Sequence, residues 1–149
     1  MKLFFCLFVL VVLGVWCARS PDVGLTASPA VCISDRCVSV TVADDDPERA
    51  KGLMFVETLP AGSGMLFVFP EAWFFQFRMK NTLLPLDMLR LDASGVIVHI
   101  EHAVPPCERD PCPLYGPQEG VFAKYVLEVW SGVVDKNDRA IGMMAEIRQ

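Results

Sequence analysis

Histidine is nearly missing from this chain of 149 residues: His99 and His102 are the only two. A Ser-His-Asp arrangement would have to recruit one of them, and no nucleophile elbow accompanies them. Basic runs are missing too. Asp and Glu number 18 against 13 Lys and Arg, a net charge of −5, and such a surface repels phosphate backbones. Nucleic acid is therefore not an expected partner. No apolar run reaches the roughly 20 residues that a membrane-spanning helix needs. Internal repeats and low-complexity tracts are absent as well, which removes solenoids and repeat arrays from consideration.

What stands at the N-terminus is shorter. Lys2 is followed by Leu3–Val15, 13 uncharged and almost wholly apolar residues, which is the pattern of a secretory signal. Trp16 stands where cleavage wants a small residue, and Cys17 offers a site for lipid attachment. A cleaved signal, an uncleaved anchor and an acylated Cys17 all stay open. Each places the domain outside the cytoplasm, periplasmic, extracellular or membrane-anchored, with membrane contact only through this segment. Without residues 1–18 the count becomes 12 basic against 18 acidic residues, a net of −6.

Six cysteines fit that compartment. Cys6 and Cys17 lie in the targeting segment. Cys32/Cys37 and Cys107/Cys112 form two close pairs with four residues between, a spacing that reads as disulfides closing short loops.

Segment 19–36 reads as a linker leading into a Cys-bridged hairpin, and 37–149 as a β-rich domain. Val38–Val42 alternates as a strand does. Asp46, Pro47 and Glu48 mark a helix start and Gly52 its stop. Further strands are expected at Met65–Phe69, Phe74–Met79, Leu86–Leu91, Val96–Val104, Tyr125–Trp130 and Met143–Ile147, with a helical turn at Val133–Asn137. Asp92-Ala93-Ser94-Gly95 is the turn of a hairpin. Residues 105–120 hold five prolines and two glycines, a long loop that a Cys107–Cys112 bridge would brace. Many short, closely spaced strands mean a barrel or a sandwich.

Several strings then occur in a telling order: Gly52-Leu53-Met54-Phe55, Gly64-Met65-Leu66-Phe67-Val68-Phe69, Met79-Lys80-Asn81-Thr82 with Pro85-Leu86-Asp87, Pro106-Cys107, Cys112-Pro113 and Tyr125-Val126-Leu127-Glu128. Over roughly residues 37–147 the chain resembles the domain of unknown function 192, also called uncharacterised protein family 0127. The resemblance implies a mostly β fold with one or two short helices: a small, partly open antiparallel β-barrel, often exported or membrane-tethered. It implies no activity and no cofactor. Two positions depart from the family pattern, Val56 where Arg is usual and Arg78 where Trp is usual.

Lys80, Asn81, Thr82 and Asp87 are polar residues inside the most apolar stretch, with Arg78 beside them. At a barrel rim they could face a ligand. In the plainer reading, Lys80 pairs with Asp87 while Asn81 and Thr82 hydrogen-bond a turn. His99, Glu101, His102, Cys107 and Cys112 could be written as a zinc set, but strand alternation puts His99 and Glu101 on one face and His102 on the other, and disulfide formation would consume both thiols, so no metal is expected. Trp73-Phe74-Phe75-Gln76-Phe77 offers an aromatic face. Three functions follow. The first is an envelope accessory module that presents the rim to an unknown small ligand or envelope protein. The others are an interaction module working through Trp73–Phe77 and an enzyme with Lys80 or Asp87 as acid/base.

Overall fold

Alternating apolar side chains build seven strands, and both faces of the sheet's middle are buried. The computed structural model describes residues 28–134, 137 and 139–149. The Leu3–Val15 segment, Cys6, Cys17, most of the expected linker, and residues 135 and 136 of the expected helical turn lie outside them. The elements are β1 (Ala30–Ile33), β2 (Arg36–Ala43), α1 (Asp46–Lys51), β3 (Ser63–Trp73), β4 (Leu86–Leu91), β5 (Ile97–Val104), β6 (Ala123–Trp130) and β7 (Ala145–Arg148).

The strands form one sheet in the order β5-β4-β6-β3-β2-β1-β7. All neighbours are antiparallel except β2 and β3, which run parallel. Right-handed twist curls the sheet into an open half-barrel. Its two edges meet at one end, where Val96 bridges Met144 and the Ile97 amide donates to the Met143 carbonyl at 2.9 Å. Gly95 permits this closure. A Cβ there would stand 2.8 Å from the Ala145 carbonyl oxygen, and its φ of +87° suits glycine.

One face of the sheet gathers Val31, Val40, Leu66, Leu89, Leu91, Ile97, Ile100, Leu127 and Val129. The other gathers Phe67, Leu86, Met88 and Val126 with Leu53, Met79 and Leu84 from the connections. Every residue of β4 is consequently buried, and its apolar run reads as a strand covered on both sides.

Three expectations change in detail. The helix begins as expected, but Asp45 is its cap: the Asp45 carboxylate accepts from the Glu48 amide at 2.8 Å. β3 runs through Pro70 to Trp73 because the ladder with β6 shifts register between Val68 and Trp73, and a bulge tolerates proline. Phe74–Met79 is no strand. It is extended chain joined to the rest by single bridges, Phe77 to Tyr115 and, just beyond it, Lys80 to Cys107.

Candidate functional site

The structure does not bring Lys80 and Asp87 together, which corrects the pairing expected from sequence. β4 places Asp87 opposite Val129, on the face shared with Leu89. There its carboxylate accepts from the amides of Ala103 (2.8 Å), Gly132 (2.8 Å) and Val134 (3.2 Å). The positive φ of Ala103 and the register shift of β5 opposite Asp87 aim one of these donors inward. Asp87 is thus a buried anchor whose oxygens are occupied. Lys80 instead reaches Asp110 at 2.9 Å, with both side chains more than half exposed.

Asn81 and Thr82 form a turn in which the Thr82 hydroxyl donates to the Lys80 carbonyl, whereas the Asn81 amide meets the Met54 sulfur rather than the turn backbone. Asn81 takes φ +54° and its carbonyl accepts from the Phe55 amide at 2.8 Å, while Thr82 bridges Met54. Phe55 itself sits at φ +62°, an unusual conformation for a bulky residue, and its ring is exposed.

A charged cluster that sequence reasoning missed lies beneath this region. The Arg90 guanidinium, fully buried, donates to Glu101 at 3.1 Å, to the Phe75 carbonyl at 3.0 Å and to the Tyr115 carbonyl at 3.2 Å. His99 stands 3.3 Å from Glu101. Glu128 faces the same cluster, and burial pushes its carboxyl up to about 8 although Arg90 pulls the other way. The available signal was a charge inside each apolar run: Arg90 in Leu86–Leu91, Glu101 in Val96–Val104, Glu128 in Tyr125–Trp130.

Arg90 holds segment 75–80 against loop 105–115. Its guanidinium lies 5.0 Å from the Phe77 ring centre, and Phe77 and Tyr115 exchange both backbone hydrogen bonds. Cys107 and Cys112 stand at disulfide distance, 2.06 Å between sulfurs, and so do Cys32 and Cys37 at 2.05 Å. Neither thiol of the imagined zinc set is therefore available as a ligand.

Above this support lies an open groove of about 620 Å³, a size ordinary for small-molecule sites. Phe69, Phe75 and Phe77 line it with Arg49, Arg78 and Lys80. The Phe69 and Phe75 rings stack with centres 3.6 Å apart, and Phe77 meets Phe67 edge-on at 5.1 Å. Arg49 covers Phe69 at 5.6 Å while bonded to the Val68 carbonyl at 2.7 Å. A second hollow shares Arg49, Phe69 and Phe75, and adds Asp46, Glu71 and Trp73. The aromatic run is therefore divided. Phe75 and Phe77 enter the groove, whereas Trp73 is 63% exposed at its far end against Phe122. Of the two departures from the family pattern, Val56 packs into the apolar cluster and Arg78 lines the groove. Another hollow, between β2, β4, β6 and Val133, Val134 and Ala140, is mostly apolar and only about 140 Å³.

Two solved structures share this architecture. A candidate transcription regulator from Sinorhizobium meliloti 1021 is 31% identical, covering 80% of this chain and 91% of its own with a TM-score of 0.68. A protein of unknown function from Novosphingobium aromaticivorans DSM 12444 is 22% identical, covering 89% and 94% with a TM-score of 0.66, a likeness of fold alone. No curated protein matches the sequence. Residues 30–147 match the family model DUF192, uncharacterized ACR, which takes in β1 where the sequence reading began at residue 37. The chain belongs to the DUF192 family.

Proposed function

We propose that this protein is an exported accessory module of the cell envelope that presents the groove over Phe69, Phe75 and Phe77 to a small ligand or a partner. One observation carries the reading. Exposed Arg78 stands over an aromatic-floored concavity, with no hydrogen bond or salt bridge to its guanidinium among the described residues, and its charge is felt at Asp110 in the adjoining hollow. A charged fork beside stacked rings suits recognition of a flat or anionic group. The two cysteine pairs at disulfide distance fit an oxidising compartment, and the Leu3–Val15 segment supplies the route to it. A net charge of −5 weighs against nucleic-acid binding by this chain, and so against carrying over a transcription-regulator role from its Sinorhizobium relative.

The test is a nitrogen-15 NMR titration of the purified protein with naphthalene-2-carboxylate, comparing wild type with Arg78→Ala. Shifts confined to residues 67–80 and weakened by the substitution support the reading. Shifts scattered over the surface, or none, would defeat it.

A second reading is favoured by the Trp73–Phe122 pair, whose exposed rings lie 5.9 Å apart beyond the groove. There the protein would meet an envelope partner through an aromatic patch. Crosslinking from position 73 in intact cells discriminates between the two.

A further inference from the structure

We infer that the groove is a site for a small organic carboxylate with a flat apolar body, whose head would take the place that Asp110 holds on Lys80. The inference rests on the groove being a binding site and names what it binds.

The charges along the groove give it a direction. At the Trp73 end Arg49 is paired with Asp46, which leaves Glu71 as the uncompensated charge, whereas Arg78 and Lys80 stand together at the other. An anionic head is therefore drawn to the second end, with its apolar body over Phe69, Phe75 and Phe77. Arg78 and Lys80 are two residues apart on extended chain, so their side chains project to the same side. A guanidinium fork and an ammonium side by side can share one carboxylate.

The molecule already shows a carboxylate on one of these cations. Asp110 sits on the Cys107–Cys112 loop and accepts from Lys80 at 2.9 Å, in a hollow lined also by Arg78, Pro111 and Cys112. The hydrogen bond from Lys80, ahead of its charge and that of Arg78, holds the Asp110 carboxyl below its ordinary range. With both partners more than half exposed, this pair is of the weak surface kind, open to a better competitor. An external carboxylate bound by Arg78 and Lys80 together, with its body stacked on phenylalanine rings, is such a competitor. Asp110 then acts as an internal rival that sets the threshold for binding.

The test uses the full chain and three probes: naphthalene-2-carboxylate, its neutral carboxamide, and acetate, which has the head without the body. Affinities are read from NMR shifts of groove residues in wild type, Asp110→Asn and, as a control of equal charge change at the β1–β2 turn, Asp35→Asn. The carboxylate should bind at least tenfold more tightly than either other probe. Asp110→Asn should tighten it about two- to fivefold while Asp35→Asn leaves it unchanged. Equal binding of the carboxamide, or an Asp110→Asn affinity no tighter than that of Asp35→Asn, would overturn the inference while leaving groove binding intact. Failure of all three probes to shift groove residues would overturn both.

Discussion

Glu128 shows how one residue couples burial to pH. Its carboxyl titrates near 8 in the folded chain because water cannot reach it, against about 4.5 in an unfolded one. The folded state therefore holds a proton that the unfolded state has released between those values. This stability is fully present below about pH 4.5 and is lost as pH rises through 8. Unfolding free energies from denaturant titrations at pH 5, 7 and 9 should fall across the series, by on the order of 2 kcal/mol or more in total. In Glu128→Gln the fall should largely vanish; an equal fall in the variant would mean another group is responsible. At the same scale, Asp87 and Lys80 should separate sharply. Asp87→Asn loses a charged acceptor of three amides and should cost about 3 kcal/mol, because the new amide points donors at donors. Lys80→Met removes half of an exposed ion pair and should stay within about 0.5 kcal/mol. Equal costs would restore the buried pair that the structure dissolves.

Among elements, the loop carrying Cys107 and Cys112 is the one whose loss should be felt locally. The bridge closes only a short loop, so Cys107→Ser/Cys112→Ser forfeits less than long-loop disulfides do. Hydrogen exchange should quicken at Cys107 and Tyr115 while β4 and β6 keep their protection, and global loss of protection would contradict this. Elements were also where the sequence was most and least legible. β2, β4, β5 and β6 stood out through period-two alternation or short apolar runs between turn residues. The bulge at Pro70 hid the end of β3, since proline ordinarily ends a strand. Phe74–Met79 carries strand-like composition, but it is tied by single bridges and by Arg90 rather than by a ladder. The groove was half legible. Arg78, Lys80 and the aromatic run were visible, yet nothing local told that Phe69 would stack on Phe75. Arg90 went unremarked, and nothing local told that it would gather Glu101 and Glu128 into one buried cluster, because charges within strands are ordinarily taken to face water.

For the whole molecule, a half-barrel packed on both faces gives the groove a rigid floor, with Arg90 as the tie between sheet and cover. Arg90→Leu should therefore cost about 3–5 kcal/mol, since buried Glu128 and the largely covered Glu101 would lose their shared cation, and the chevron or melting curve of the variant checks this. The proposed location has its own test in cell fractionation. The domain should be protease-accessible from outside the cytoplasm, and full-length soluble protein in the cytoplasm with reduced cysteines would sink that part of the reading. The central claim is that the groove over Phe69, Phe75 and Phe77 binds a ligand. Intermolecular nuclear Overhauser effects between naphthalene-2-carboxylate and the protein locate the probe directly. Contacts are expected from the ring protons to Phe69, Phe75 and Phe77, with the carboxylate end nearest Arg78; contacts to Leu127, Val129 and Val133 instead, or none at all, would contradict groove binding.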